Sequence, residues 1–483
     1  MLQTETQILQ NKIQQHTNSI FVVLSVFCLF IFGLSIYFDK LYFVVMPIAL
    51  LFVVFASIEY KLIYFLLLFC LPLSQEIEIG SFGFDLPSDA LLILLSFLSI
   101  FIVLIHYKER TLQLLKQPIA ILIILHFIWT IISIIQSTNI LVSIKFSVAK
   151  FWYITVFFLL TYLIVQQVKQ LKLVLWLLIL PTLLTVIIIF IEHASLGFSF
   201  EGINTAVIPI YRNHVNYAVF LVMILPFIFL MKQWYQQGSI QKLLLNFTIV
   251  LFVFAIYFSY TRGAWLALVA IAVYYFVVKY KLTKWILILS AITSSIFIIY
   301  ILKDYKYLKY APNYETTIYH EDLNDHLNST FEMEDMSTVE RFYRWLAATK
   351  MIKENPIYGV GAGNFAANYK PYTVRAYQTY ISDNEEKSTV HNYFLLLITE
   401  QGIPACIIFI LLIIAILLFA EKSYHNNTTN KNIIMAIVLS IVAFLINNTL
   451  SDLVEANKVG SLFWINLALL LGFGNKSLQQ TDI

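Results

Sequence analysis

The chain has 483 residues, 60% of them hydrophobic and 12% charged, with a mean hydropathy of +0.80 and a net charge of +3. A soluble domain carries about 25% charged residues, so the composition excludes an ordinary soluble enzyme and predicts an all-α, polytopic integral membrane protein. The small net charge gives no reason to expect a nucleic-acid partner. Cys28, Cys70 and Cys406 lie in apolar runs with no C-x-x-C spacing, so neither a disulfide framework nor a metal knuckle is expected.

Residues 1–19 are polar and rich in Gln, and they lack the basic start and cleavage site of a signal peptide. The first apolar run is therefore expected to stay as a membrane helix behind a cytoplasmic tail. A bilayer core needs about 20 apolar residues. Candidate spans fall at 20–37, 41–58, 61–73, 87–106, 118–135, 148–165, 171–191, 214–231, 243–260, 263–279, 284–302, 391–420, 432–450 and 458–474. The third is short, and 391–420 is broken at Gly402-Ile403-Pro404, so that it can begin as an interfacial helix; twelve to fourteen transmembrane helices are predicted. The expected organisation is a tail (1–19), an N-terminal transmembrane bundle (20–302), one large extracytoplasmic loop (303–390), C-terminal transmembrane helices (391–474) and a tail (475–483).

Basic residues set the orientation. With the N-terminus inside, the inner segments carry fifteen Lys and Arg, from Lys12 to Lys476. The short outer segments and span edges carry six: Lys40, Lys145, Lys150, Arg212, Arg262 and Lys458. Long loops translocate regardless of charge, so the ten in 303–390 do not count. Both termini are expected in the cytoplasm and the large loop outside.

That loop is the one long polar run. Its first part holds Glu321, Asp322, Asp325, Glu332, Glu334 and Asp335 and has the composition of a solvated segment. Ser337 and Glu340 then fit a capping box, predicting a helix that runs to about Glu354 before Pro356. Arg341, Arg344, Trp345 and Ala348 share one side of it, the pattern of an amphipathic helix lying across the outer membrane surface. Gly359, Gly361 and Gly363 form a turn without the strand–helix context of a nucleotide fingerprint, though its amides can approach an anion.

Several residues can carry chemistry at the outer face. His391, where the loop re-enters apolar sequence, either anchors a helix end or exchanges a proton with a polar acceptor. Arg212 and Arg262 run against the inside bias. Each either snorkels or offers a guanidinium fork suited to pyrophosphate, and Gly263 permits close approach of a ligand. With Arg341 and Arg344 on the same side, an anion site there is expected. Glu76 and Glu78 fall in an outer loop, 74–86, expected to be solvated rather than metal-binding, and no D-x-D is present. His193, His214, Glu192 and Asp452 are expected as helix-end or packing residues.

A set of separated motifs in order gives a resemblance over roughly 200–450: Arg212 with Asn216-Tyr217-Ala218; Tyr260-Thr261-Arg262-Gly263-Ala264-Trp265; Arg344-Trp345; Pro356, Gly359-Val360-Gly361 and Asn364-Phe365; and His391-Asn392-Tyr393 with Glu400-Gln401-Gly402. Together they resemble the O-antigen ligase and polymerase superfamily sharing the Wzy_C region. The resemblance implies a GT-C-like membrane glycosyltransferase in a bacterial inner membrane, working without nucleotide, cofactor or metal. The implied donor is a glycan on undecaprenyl pyrophosphate, and the acceptor a hydroxyl of lipid A–core, another glycan or a protein. By the same resemblance His391 activates the acceptor, and Arg212, Arg262, Arg344 and Arg341 hold the pyrophosphate. Ligase-type transfer is expected ahead of polymerase-type. A transporter or flippase, the alternative of another class, would place charges near the midplane and show internal repeats; here the charges gather at the outer rim and no repeat is seen.

Overall fold

The computed structural model describes residues 53–79, 82–302, 336–373 and 388–475. The expected tail 1–19, the spans at 20–37 and most of 41–58, the acidic stretch 303–335 and the tail from 476 lie outside the described residues. The chain divides into two units, Met1–Tyr64 and Phe65–Ile483, and the second holds every helix from Ser88 onward.

The described chain is almost entirely helical. Helix α1 (Tyr60–Cys70) leads into a hairpin of β1 (Gln75–Ile79) and β2 (Phe82–Leu86), which pair antiparallel with Gln75 opposite Leu86 and Glu76 opposite Asp85. This hairpin replaces the solvated loop expected at 74–86. Alternation of Ile77, Ile79, Phe82 and Phe84 with polar or small residues supplies the two-residue period that a strand needs. Next come α2 (Ser88–His106), the amphipathic α3 (Lys108–Leu115), α4 (Pro118–Ile132, extended as a 3₁₀ turn to Gln136) and α5 (Ile140–Ile164), whose centre, Ile154–Leu160, is a π-helix. Then follow α6 (Val168–Ser195), the short α7 (Phe200–Ala206), α8 (His214–Lys232), α9 (Ile240–Phe258), α10 (Arg262–Lys279) and α11 (Thr283–Leu302). The polar region contributes α12 (Met336–Glu354) and the single turn α13 (Phe365–Asn368). The chain closes with α14 (Tyr393–Asn426), α15 (Lys431–Asn448) and α16 (Asn457–Gly474).

Nine helices among the described residues are long and apolar enough to cross a membrane. Their starts are chemically marked. Pro118 opens α4 at a position where its missing N–H costs nothing. Asn139, Asn213, Ser239 and Asn392 cap α5, α8, α9 and α14 by accepting an amide proton of the first turn.

Burial sorts these helices. In α8 and α15, 78% and 72% of the spanning window is buried, against 28% in α9, so α8 and α15 form the core and α9 faces outward. α15 packs on α8 and α10, α14 on α4, and α16 on the π-helical part of α5. The outward faces of α9, α10 and α11 show Val250, Phe254, Val269, Val273, Leu289 and Ile292. A soluble protein rarely exposes an apolar surface of that extent, but hydrocarbon is a matching solvent for it. The molecule is thus an all-α multi-pass membrane protein.

The helix expected to run to about Glu354 is α12, which ends there. It packs against α14 and buries Tyr343, Arg344, Ala347, Ala348 and Met351, the stripe its small and apolar residues make at helical spacing. The break in α14 falls at the expected place: Gly402 has φ +81°.

Candidate active site at one end of the bundle

The site is assembled around the end of α15 and the segment 449–456 that follows it. The candidate residues from the sequence are drawn toward this end by short ties. Arg262 is the first residue of α10. Next to it, a side chain at Gly263 would meet the Asn447 Oδ1 at 2.8 Å, so glycine is what lets the α10 start close onto the last turn of α15. Thr261 Oγ1 donates to the His214 carbonyl at 3.4 Å, bringing the Tyr211-Arg212-Asn213-His214 turn to the same place. Asn392 Nδ2 donates to the Thr449 carbonyl at 2.9 Å and carries His391 in with it. From α12, Trp345 Nε1 donates to the Val390 carbonyl at 3.1 Å, which brings Arg344 and Arg341 beside His391.

His391 has φ +55°, a left-handed conformation that a non-glycine residue adopts at a cost of order 1–3 kcal/mol. Its Nε2 lies 3.2 Å from Ser388 Oγ, and its Nδ1 4.0 Å from Asp452 Oδ1. The side chain keeps 30% of its surface accessible. Burial, then the Arg344 and Arg341 charges, push the imidazole down to about 3, so it is neutral at physiological pH. Asp452 is pushed up to about 6, first by burial; the Thr389 hydroxyl that hydrogen-bonds to it and the Arg212 charge pull the other way. Arg344 is 2% exposed, Arg262 and Arg341 are half-buried and Arg212 is exposed. Guanidinium groups from three separate elements thus gather at the end of the bundle that holds a neutral imidazole.

A second layer of polar contacts supports this end. Lys150 Nζ and Tyr393 OH both donate to Glu455 Oε1, at 3.4 and 3.3 Å. Asn457 donates to Asp85 and, at 3.0 Å, to Asp89 Oδ1, while accepting from Tyr153. Burial raises the Asp85 carboxyl; Lys458, Asn457 and Arg212 oppose the rise. Lys458, 5% exposed, donates to the carbonyls of Pro72 (3.1 Å) and Ser74 (2.8 Å) and to that of Ile210, two residues before Arg212.

Sequence reasoning does not assign three of these residues. It gives Asp452 only as a helix-end or packing residue, Trp345 as part of an amphipathic stripe and of a resemblance motif without a role of its own, and Lys458 as an edge cation. A signal exists for Lys458 alone: an ammonium at the head of an apolar span must find oxygen ligands. His193 and His214 keep packing roles, bonded to the Ser199 carbonyl at 2.8 Å and to Asn204 Oδ1 at 2.6 Å.

The glycine turn does not present its amides to a ligand. Gly361 N–H donates to the Glu400 carbonyl at 2.8 Å, and Gly363 and Phe365 N–H donate to the Glu400 carboxylate at 2.8 and 2.9 Å. The carboxyl these amides hold is the chain's own. Glycine is needed because a side chain at Gly359 would fall 2.3 Å from the Glu400 carbonyl carbon, and one at Gly402 only 1.8 Å from the Ile357 oxygen. The stack of Trp129 on Tyr358 (6.0 Å between centroids) and the Trp129 Nε1 bond to the Gln401 carbonyl (2.8 Å) complete the dock.

A comparison with curated proteins finds no match. Residues 247–410, roughly a third of the chain, match the family model Wzy_C, described as O-antigen ligase, and the match takes in Arg262, Arg341, Arg344 and His391. The members of that family are glycosyltransferase-like ligases and polymerases. Residues 247–410 of this helical membrane protein are thus similar to the O-antigen ligase family, a match that supports the O-antigen ligase/polymerase superfamily.

Proposed function

We propose that the protein transfers a glycan from a polyprenyl pyrophosphate, undecaprenyl pyrophosphate in a bacterium, to an acceptor hydroxyl, in the manner of an O-antigen ligase. The acceptor is lipid A–core or another surface hydroxyl. The protein sits in the inner membrane with both termini cytoplasmic and the site on the periplasmic side.

The observation that carries this reading is a neutral imidazole set among guanidinium groups, with a carboxylate 4.0 Å behind it. His391 accepts the proton of the acceptor hydroxyl as its oxygen attacks the anomeric carbon. The bond from that carbon to the pyrophosphate oxygen breaks, and polyprenyl pyrophosphate leaves with the electron pair. Arg212, Arg262, Arg344 and Arg341 hold the charge that develops on the leaving group. Asp452 favours the imidazolium that forms. Attack opposite the leaving group inverts the anomeric centre.

Burial lowers the basicity of His391 most, and the Arg344 and Arg341 charges lower it further. A bound diphosphate would offset the second of these causes and so raise the basicity of His391.

The test is transfer by purified protein from a lipid-linked glycan to candidate acceptors. His391→Ala is expected to lower kcat by roughly 10²–10⁴-fold, the usual contribution of a general base. Arg262→Ala is expected to weaken transfer with the fold intact. Undiminished transfer in both variants would remove these assignments. A single added block marks a ligase, and a ladder of lengths a polymerase.

A further inference from the structure

We propose that Trp345 is a positioning residue for His391, acting through its indole N–H on the backbone that carries the imidazole; the proposal rests on the catalytic role of His391 in the proposed transfer. His391 sits in a left-handed conformation, φ +55°, which is uncommon for any residue but glycine even though histidine tolerates it better than most. Such a conformation persists where the surrounding contacts over-determine it. Hydrogen bonds at three neighbouring residues surround it in sequence. Trp345 Nε1 donates to the Val390 carbonyl, one residue before, at 3.1 Å. The Thr389 hydroxyl bonds to Asp452. On the far side, Asn392 caps α14 by accepting the Leu395 amide at 3.0 Å and donates to the Thr449 carbonyl at 2.9 Å.

The peptide units on both sides of His391 are thereby tied to α12 and to the end of α15. Val390 is fully buried, so water cannot replace the indole at its carbonyl. Trp345 also follows Arg344 directly, so one helical turn of α12 sets both the guanidinium beside the imidazole and the backbone beneath it. A relaxed backbone would swing the imidazole away from the acceptor without removing any group that binds the donor. A displacement of about 1 Å can cost on the order of 10²-fold in rate.

The experiment compares Trp345→Phe, which keeps an aromatic ring and loses the N–H, with Trp345→Ala, which loses both. Each is measured for kcat, for the donor KM and for amide hydrogen exchange across 388–395, in full-length protein in liposomes. Trp345→Phe is expected to lower kcat on the order of 10²-fold with donor KM within about twofold, and to speed exchange in 388–395. Asn392→Asp, which keeps the cap acceptor and loses the amide donor to Thr449, is expected to show the same split and guards against misfolding of the Trp345 variants. Overturning results are a Trp345→Phe enzyme with wild-type kcat, or a kcat loss seen only in Trp345→Ala, since either assigns Trp345 to packing. If wild-type protein transfers no glycan, the functional reading falls by itself. The clamp is then judged on exchange, and unchanged exchange in Trp345→Phe overturns it.

Discussion

Asp452 and His391 titrate in opposite senses, and that opposition is measurable. The Asp452 carboxyl, ordinarily near 3.8, is raised to about 6, and the His391 imidazole, ordinarily near 6.5, is lowered to about 3. His391 thus stays neutral through the working range, so an acid limb in kcat/KM near pH 6 belongs to Asp452. Activity is expected to rise as Asp452 ionises, and Asp452→Asn is expected to flatten that limb and lower kcat. Stability follows the same signs. A raised carboxyl stabilises below 3.8 and loses that contribution as pH rises through 6. A lowered histidine stabilises above 6.5 and loses that contribution as pH falls toward 3. In the wild type the two oppose each other between about 4 and 6. In Asp452→Asn the histidine term stands alone, so Tm should fall more steeply on acidification than in the wild type.

Among the elements, the docked turn 355–369 shows how backbone geometry holds the site from a distance. It is fastened to α14 at the Gly402 break and, through Asn364, to α5 and the turn that precedes it. The Asn364 amide donates to Ser137 Oγ (3.0 Å), Ser143 Oγ (2.9 Å), the Ala362 carbonyl (3.2 Å) and the Asn139 carbonyl (3.4 Å). Asn364→Ala leaves those groups buried and is expected to cost about 1–3 kcal/mol, read as a lower Tm. Gly402→Ala is harsher. Its Cβ would lie 1.8 Å from the Ile357 oxygen at a φ of +81°, so the turn must lift off or the helix shift. A loss of at least about 1–3 kcal/mol is expected, together with faster proteolysis of the 355–369 segment. Wild-type Tm in Gly402→Ala would show that the dock is dispensable.

For the molecule as a whole, orientation decides whether the site can meet a glycan outside the cell. The proposed orientation places the exposed Ile357 outside and the exposed Lys281, in the turn between α10 and α11, inside. In intact cells a membrane-impermeant thiol reagent should label Ile357→Cys and leave Lys281→Cys unlabelled until the membrane is opened. Labelling in the reverse order would put the site in the cytoplasm and remove the proposed function.

The local code of this chain is legible without coordinates where a single physical rule dominates. Apolar runs as long as a bilayer is thick must become helices, because lipid offers their backbone no partner. Gly402-Ile403-Pro404 is expected to interrupt one of them, since glycine disfavours a helix interior and proline removes a helical hydrogen bond. The strands at 75–86 escape because a short alternating segment is judged against its neighbours, and a loop rich in Glu looks solvated until Asn457 is seen holding Asp85. Likewise, the sequence names His391 and four arginines, but the contacts that matter to them span long separations: Asp452 to His391, Trp345 to Val390, Gly363 to Glu400. Composition and spacing determined a helical membrane protein with cations gathered toward one side. Tertiary structure alone decided which carboxylate stands behind the imidazole and that the glycine amides already hold one, because both depend on distances between segments that no local period encodes.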